Sequence, residues 1–321
     1  MLTVGAAANL ERMKQSVTFC SQGLNVAGVL FTPKTGEPHP AIVIGHPVTS
    51  VKEQSPSIYA RSLVEKGFVV LVFDATYQGE SEGEPRLLED PIARSENIKD
   101  AVSFLTTRDD VDPERIGALG ICGSGAYVPF AAQTDRRIKA VATISAVNFG
   151  DMLREGADLG GQDPAILAGQ VALSNQARTD AANGRTVEPL PLLPMSEEEA
   201  EQTPGRSMMR EAYDFYRTPR CMHPNAPSKI AVQSFDLLAQ WDGWEFITDI
   251  SPRPLLMIAG TAAETGVHSE RAIERAAEPK ELFWVEGASH VDLYGDREQF
   301  RPIVVDKLTE FFDQYLGAPA R

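Results

Sequence analysis

Residues Arg115–Tyr127 read RIGALGICGSGAY and carry the strongest structural signal in the chain. The run Ile116–Ile121 is short and apolar, as expected of a buried strand, and a helix-like segment follows a bend rich in Gly and Ser. A reactive side chain on such a strand-to-helix bend needs small residues two positions before and after it, because backbone segments approach closely there. Gly120, Cys122 and Ser124 have this spacing. The stretch therefore predicts Cys122 as a nucleophile.

Two other interpretations of this bend remain open at the level of sequence. Ser124 is also flanked by small residues at the same spacing, Cys122 and Ala126. It lies two residues further along, however, and would already be in the helix if the strand ends near Gly120. The cysteine could also be an inert core residue, because buried thiols pack like small apolar groups. We favour Cys122 as the nucleophile.

The composition of the 321-residue chain narrows the class of protein. An apolar content of 43% can fill a large core, and the formal net charge of -15 argues against nucleic acid or an anionic membrane surface as a partner. Three cysteines, Cys20, Cys122 and Cys221, show no clustered spacing, which favours a reducing compartment without disulfides or structural zinc. The stretch MLTVGAAANLERMKQ lacks a basic leader, and no apolar run approaches the roughly 20 residues of a membrane helix. We expect a soluble cytoplasmic protein.

Short apolar runs alternate with helix-like segments along most of the chain. Val17–Cys20 and Val26–Phe31 predict a hairpin that turns at Gln22 and Gly23. Phe68–Phe73 (FVVLVF) is apolar without interruption, as expected for a strand covered on both faces. The alternation predicts an α/β fold with a parallel sheet between two layers of helices. Further strands are predicted at Ala41–Gly45, Ile138–Ser145, Pro254–Gly260 and Glu281–Val285, and helices at Ser57–Lys66, Ile92–Thr107, Ser228–Leu238, Ser269–Ala277 and Ile303–Tyr315.

The alternation stops after residue 147. Helix-like segments are predicted at Pro164–Asn183 and Gly205–Tyr216, separated by the Pro-rich link Glu188–Pro194 (EPLPLLP) and an acidic cluster, Glu197–Glu201. A stretch of roughly 80 residues between two sheet strands is more typical of a functional helical cap than of a disordered linker.

The predicted organisation is therefore a core and a cap. We expect residues 1–147 and 228–321 to form the core and residues 148–227 to form the cap. Apolar and aromatic residues of the cap favour a substrate with a hydrophobic portion. Tyr216 and His223 are the candidate substrate contacts in this segment.

A nucleophile on a bend of this kind works with an acid and a histidine that follow it in the chain, each beyond a later sheet strand. The stretch TAAETG follows the strand that ends at Gly260, and its one carboxylate is Glu264. The stretch EGASHVDLY follows the last strand and contains His290. The imidazole would ionise the thiol, and Glu264 would orient the imidazole. Asp242, Asp249 and Asp292 are alternative acids, although Asp292 is only two residues from His290.

Acyl transfer also needs N–H groups directed at the developing negative oxygen. Gly123, immediately after the nucleophile, is one expected donor. The second is expected in the loop GHPVTSVKEQ, where Pro47 has no N–H. Val48 is therefore the predicted donor, with Thr49 as the alternative.

Four motifs together resemble the α/β-hydrolase superfamily, namely GICGSG, the GHP loop, FDATYQGESEGEP and GASHVDLY. Within it the chain resembles the dienelactone-hydrolase-like branch, which has a cysteine nucleophile in a G-x-C-x-G-G setting. HPVTSVKEQ and FYRTPRCMHPNAP are more similar to bacterial and fungal hydrolases, some of which act on polyketide thioesters or transfer acyl chains. The resemblance implies a mostly parallel, eight-stranded-type sheet under a helical cap. Two positions depart from the family pattern, because Ser124 stands where Gly is frequent and Glu264 where Asp is expected.

The sequence as a whole predicts an acyl hydrolase with a Cys122–His290–Glu264 triad that acts on a small-molecule ester, lactone or thioester. An acyltransferase with the same triad is the first alternative, and a non-catalytic binding protein of the same fold is the second. Neither HExxH nor GxGxxG is present, so we expect no metal and no cofactor. The oligomeric state stays open, a homodimer included.

Overall fold

A computed structural model describes residues 13–34, 36, 38–203 and 207–317. Most of the N-terminal stretch that was assessed as a leader, and the predicted start of a helix at Gly205, lie outside these residues. The fold is built on one large sheet and one two-stranded sheet. Within the described residues, no helix is both long enough and apolar enough to span a membrane.

The large sheet has eight strands in the order β1-β2-β4-β3-β5-β6-β9-β10. Strand β2 is antiparallel to both of its neighbours, and all the other pairs are parallel. This confirms the predicted α/β class and the mostly parallel sheet. The strands are β1 (Lys14–Ser21), β2 (Leu24–Phe31), β3 (His39–Gly45), β4 (Val69–Phe73), β5 (Val111–Ile121), β6 (Ile138–Ile144), β9 (Leu255–Gly260) and β10 (Lys280–Val285).

The first two strands form the predicted hairpin. Gln22 and Gly23 both have positive φ, 49° and 83°, which is the conformation that a two-residue hairpin turn requires. Strand β4 is buried throughout, and the apolar parts of β3 and β5, Ala41–Gly45 and Ile116–Ile121, are buried as predicted for strands covered on both faces.

Helices cover the two faces of the sheet. Helix α1 packs with α10. Helix α2 packs with α3 on β5, the strand that leads into the bend at Cys122, which we call the elbow. The predicted positions of α1, α2, α9 and α10 are confirmed to within three residues at each end. Helices of the core are α1 (Ser55–Glu65), α2 (Pro91–Thr106), α3 (Ser124–Thr134), α8 (Ser234–Ala239), α9 (Gly266–Arg275) and α10 (Arg301–Leu316), with short 3₁₀ helices at Ile247–Ile250 and Val291–Tyr294.

The stretch predicted as a cap is mainly helical but also contains a strand that the sequence did not indicate. Leu190–Pro191 (β7) in the Pro-rich link pairs antiparallel with Lys229–Ile230 (β8). The helix predicted from Ser228 therefore begins only at Ser234, because the preceding residues are held in this pairing. The helices of the stretch are α4 (Phe149–Glu155), α5 (Pro164–Ala182), α6 (Glu197–Glu201) and α7 (Met208–Arg217).

Candidate active site

Cys122 lies on a strained bend between β5 and α3. Its φ is 55°, a left-handed conformation that is uncommon for any residue with a side chain. The bend is tight, because a Cβ on Gly120 would come within 2.0 Å of the Ser124 carbonyl oxygen. A Cβ on Gly125 would come within 2.6 Å of the Ala146 Cα, so the new helix rests directly on the segment after β6. These contacts explain why glycine is needed on both sides of the bend.

Ser124, the alternative nucleophile, is the first residue of α3. Its Oγ donates a hydrogen bond to the His46 carbonyl oxygen at 2.6 Å and accepts one from Arg94 at 3.2 Å. The hydroxyl therefore ties the helix to the loop after β3 and does not face the cavity above Cys122.

The thiol of Cys122 is buried, and burial raises its pKa to about 11. Three groups interact with the sulfur and oppose this shift, namely the hydroxyl of Tyr294 and the amides of Gly123 and Val48. The two amides are those expected from the sequence to bind an oxyanion. In the resting state the cysteine is consequently a neutral thiol rather than a thiolate.

His290 follows β10 and immediately precedes a 3₁₀ helix. Its Nδ1 lies 2.6 Å from Thr265 Oγ1, and its Nε2 lies 3.1 Å from Tyr294 Oη. Burial lowers the pKa of the imidazole to about 3, so the ring is neutral. A neutral ring that donates from Nδ1 to Thr265 accepts at Nε2 from the Tyr294 hydroxyl.

Glu264 does not take the position predicted for it beside His290. Its Oε1 instead accepts a hydrogen bond of 2.5 Å from the Met208 amide, at the start of α7. A carboxylate at a helix N-terminus is stabilised by the unpaired amides and the helix dipole, which explains this placement. The neighbouring residue Thr265 occupies the position at Nδ1 that was predicted for Glu264.

Of the three alternative acids, Asp242 and Asp292 have other partners and Asp249 is exposed. Asp242 accepts hydrogen bonds from the Asn148 side chain and the Trp244 amide. Asp292 accepts from the Ser289 amide at 3.2 Å, and Asp249 lies exposed on a 3₁₀ helix. The contact that orients His290 in this structure is therefore a hydroxyl.

Tyr294 is a site residue that the sequence analysis missed. It is 2% exposed, and its ring packs edge-on against Phe215 and Tyr216 of α7. Because it follows His290 by four residues in HVDLY, one helical turn brings the two side chains together. That spacing was the available signal, although only the histidine was used.

The loop that carries Val48 is held by buried polar contacts. His46 Nδ1 donates to the Pro47 carbonyl oxygen at 2.7 Å, and its Nε2 accepts from the Ala75 amide at 3.0 Å and from Arg94 at 2.8 Å. Burial and the Arg94 charge hold the pKa of His46 well below its usual value. The neutral ring thus holds the loop through one hydrogen bond within the loop and two to neighbouring segments.

Further along the same loop, the buried Lys52 side chain forms ion pairs with buried Asp74 and exposed Glu80. Its Nζ lies 2.8 Å from Asp74 and 2.7 Å from Glu80, and its amide donates to Asp74 at 2.7 Å. A Cβ on Gly79 would come within 2.1 Å of the Asp74 carboxylate, so glycine is required there. The motifs HPVTSVKEQ and FDATYQGE therefore form one unit that positions the Val48 amide.

A cavity of about 40 Å³ lies directly above Cys122. Tyr216 lines it, and its role as a substrate contact stays a prediction. His223 lies outside its lining and instead accepts a hydrogen bond from the Asn225 amide, so it does not take the predicted position. His268 is completely buried. The lining consists of Val48, Thr49, Cys122, Phe149, Met152, Leu192, Leu193, Met208, Met209, Ala212, Tyr216 and Tyr294.

Within the described residues no three His, Cys, Asp or Glu side chains converge in a way that could hold an ion.

Comparison with known proteins assigns the family. The profile of the X-Pro dipeptidyl-peptidase (S15) family matches residues 22–227. The chain belongs to this family of α/β hydrolases. Uncharacterized protein YcjY of Escherichia coli K12 is 38% identical over 293 residues, which span 90% of this chain and 94% of that protein. The crystal structure of hypothetical protein PA2218 from Pseudomonas aeruginosa is 37% identical with a TM-score of 0.85, over 94% of this chain and 93% of that one.

More distant relatives have names that describe acyl chemistry. Thiohydrolase aneE of Aspergillus aculeatus is 27% identical, over 88% of this chain and 88% of that protein. Polyketide transferase claH of Penicillium crustosum is 26% identical, over 92% of this chain and 95% of that protein. The S15 family assignment makes the chain an α/β hydrolase, while its closer affinity with the dienelactone-hydrolase-like branch stays a prediction.

Proposed function

We propose that the chain is an acyl hydrolase that cleaves a small-molecule ester, lactone or thioester through an acyl-thioester on Cys122. The observation that carries the proposal is the surroundings of the sulfur. Two amides and one hydroxyl converge on it at a strained bend, and the hydroxyl also contacts the imidazole of His290. Backbone strain of this kind persists where the surrounding structure imposes it, often at functional sites.

The first half of the reaction forms the acyl-enzyme. The sulfur of Cys122 attacks the acyl carbon, while its proton passes to Tyr294 Oη and the tyrosine proton passes to His290 Nε2. The Val48 and Gly123 amides stabilise the negative oxygen that develops. When the tetrahedral intermediate collapses, the leaving group takes the proton from the imidazolium, and the thioester remains.

The second half releases the acid. Water loses a proton to His290 Nε2 as it attacks the thioester carbon, again with the two amides holding the oxygen. The imidazolium proton then returns to the departing sulfur, directly or through Tyr294, and the resting thiol is restored. Thr265 holds the ring in the required tautomer throughout, which is the role the sequence assigned to Glu264.

The cavity favours an ester or thioester over a peptide with a free amino terminus. A protonated amine would need a carboxylate or several carbonyl groups in a buried site. Among the described residues that line the cavity, most are apolar and none is acidic. Residues 148–227 supply the roof of this cavity, which supports their proposed role as a cap.

Intact-mass measurement tests the nucleophile. Incubation with activated acyl esters is expected to add one acyl group to the native protein and none to Cys122→Ala. Cys221→Ala is the matched control, since this second thiol is also partly buried and has a pKa raised by burial. An adduct that persists in Cys122→Ala, or none on the native protein, would refute the proposed intermediate.

Transfer of the acyl group to another acceptor is the second candidate function. The apolar lining and the small volume above Cys122 limit the access of water, which is the condition under which an acceptor competes with hydrolysis. Product analysis with and without an alcohol, amine or thiol acceptor separates the two functions. If the free carboxylic acid is the sole product at a saturating concentration of acceptor, the chain is a hydrolase and not an acyltransferase.

A further inference from the structure

A second cavity adjoins the one above Cys122. Its volume is about 290 Å³, and four residues line both cavities: Phe149, Met152, Leu192 and Met209. The remaining walls come from α4, α5, α8 and the β7–β8 pair, and they are mainly apolar apart from Gln162 and Gln170. We name it the outer chamber.

We propose that the outer chamber binds the aliphatic chain of the acyl group, so that the enzyme prefers medium-length linear acyl chains. This inference rests on the proposed function. The inner cavity of about 40 Å³ has room for little more than a reacting carbonyl and a methyl group. A longer chain attached to Cys122 must therefore leave it, and the outer chamber is the adjoining apolar space.

The four shared side chains form the passage between the two cavities. Met152 and Met209 are flexible and unbranched, so they can move aside for a chain at small cost. Phe149 contacts the elbow itself, since a Cβ on Gly123 would come within 3.2 Å of its ring. The passage thus begins at the residue next to the nucleophile.

The chain-length profile of the native enzyme tests this inference. We expect kcat/KM for linear acyl esters of one leaving group to rise about fourfold per methylene beyond acetyl, and to level off once the chamber is filled. Ala157 lines the chamber, and Ala157→Phe should fill it. The ratio of octanoyl to acetyl kcat/KM should then fall at least tenfold. Because both kcat/KM values in the ratio are measured on the same variant, a general loss of folded protein or of catalytic rate cancels.

Two controls make the result decisive. Ala168→Phe places the same ring on an exposed position of α5 and should keep the native ratio. Calorimetry with octanoate on Cys122→Ala should show binding that the additional Ala157→Phe change abolishes. A flat profile, or a ratio unaffected by Ala157→Phe, would overturn the chamber assignment alone, whereas absence of turnover on every acyl ester would overturn the proposed function.

A separate observation concerns Thr49, which also lines the cavity above Cys122. Its side chain is 4% exposed, and within the described chain its Oγ1 has no hydrogen-bond partner. An unsatisfied buried hydroxyl is costly. Thr49 also has a φ of 61°, which is strained for a β-branched residue.

We infer that the Thr49 hydroxyl donates a hydrogen bond to the oxygen of the reacting acyl group. Thr49 follows Val48, whose amide interacts with the sulfur, and it lines the cavity that the attacked carbonyl would enter. The loop then holds a strained residue because the substrate needs its side chain. This inference also rests on the proposed function, and it assigns the side chain rather than the amide of Thr49.

Three substitutions test Thr49. Thr49→Val keeps the shape and removes the hydroxyl, so kcat should fall roughly 10- to 100-fold with little change in KM. Thr49→Ser restores the hydroxyl and should return kcat to within threefold of native. Thr49→Gly relieves the strain, so its melting temperature should rise while kcat falls. A fully active Thr49→Val or Thr49→Gly enzyme that still acylates Cys122 would refute the assignment and leave the proposed function intact.

Discussion

At the scale of single residues, Cys122 and His290 are both neutral and do not form a thiolate–imidazolium ion pair before substrate binds. Burial raises the pKa of Cys122 to about 11 and lowers that of His290 to about 3, so neither group is charged near neutral pH. The Tyr294 hydroxyl lies between them and interacts with both. Proton transfer must therefore accompany attack on the substrate, and the tyrosine is the group placed to carry it.

Tyr294→Phe removes this hydroxyl and keeps the ring that packs against Phe215 and Tyr216. We expect kcat to fall roughly 10²- to 10⁴-fold, the usual range for losing a positioned proton-transfer group. Because the hydroxyl lowers the Cys122 pKa, alkylation by iodoacetamide should also require a higher pH. Tyr315→Phe, the same change at an exposed position of α10, is the control for both measurements. Native kcat and an unshifted alkylation profile in Tyr294→Phe would exclude the relay.

Two residues are candidates for the group that orients His290: Glu264, predicted from the sequence, and Thr265, which contacts Nδ1 in the structure. Thr265→Val removes the Nδ1 contact, and the resulting misplacement of the ring should lower kcat on the order of 10²-fold. Glu264→Gln keeps an acceptor for the Met208 amide and should lower kcat less than threefold. Steady-state kinetics on both variants decides between them. The reverse ranking would restore the carboxylate to the role predicted from sequence.

At the scale of elements, the elbow depends on close approach of backbone to backbone. Gly120→Ala puts a methyl group within 2.0 Å of the Ser124 carbonyl oxygen, and backbone cannot yield as a flexible side chain does. We expect a loss of about 3 kcal/mol or more in the free energy of unfolding, measured by denaturant titration. Gly169→Ala is the matched control, since α5 leaves open space around that position and alanine favours a helix by up to about 1 kcal/mol. Equal stabilities of the two variants would contradict this account of the bend.

The elbow also shows how far sequence reasoning reaches. Its strand follows from a short apolar run, and the preference for Cys122 over Ser124, which stays a prediction, follows from spacing within a few residues; both are local properties. The choice between Glu264 and Thr265 at His290 depends instead on where α7 begins, because the Met208 amide binds the carboxylate. The β7–β8 pair was missed for a related reason, since two residues paired across the cap leave no periodic pattern.

At the scale of the whole molecule, the parallel sheet brings the site together. Val48, Cys122, Thr265 and His290 follow β3, β5, β9 and β10, and the carboxyl ends of parallel strands meet at one edge. The positions of Cys122 and His290 beyond two strand ends could be read from the sequence for this reason. Residues 148–227, the stretch predicted as a cap, have a less regular sequence pattern, and their contacts required the structure.

Closure of the site also has a consequence for stability, because folding buries three neutral histidines. The pKa of His290 falls to about 3, that of His268 to about 4, and that of His46 lies well below its usual value, in each case chiefly through burial. Below about pH 6.5 the unfolded chain binds protons that the folded chain does not, so stability is lost as the pH falls. Between pH 7.5 and 5.5 each histidine should remove about 1.4 kcal/mol from the free energy of unfolding.

Denaturant titrations at these two pH values on the native protein and on His268→Gln test this linkage. Buried Glu89 acts in the opposite sense, because desolvation raises its pKa and folding then favours its protonated form. The difference between the two proteins isolates the histidine. His268→Gln is expected to be less stable than native at pH 7.5, yet to lose about 1.4 kcal/mol less on acidification. An identical loss in both proteins would mean that His268 binds its proton equally well in the folded and unfolded chain, which its burial and its contact with the Ala157 carbonyl oxygen do not permit.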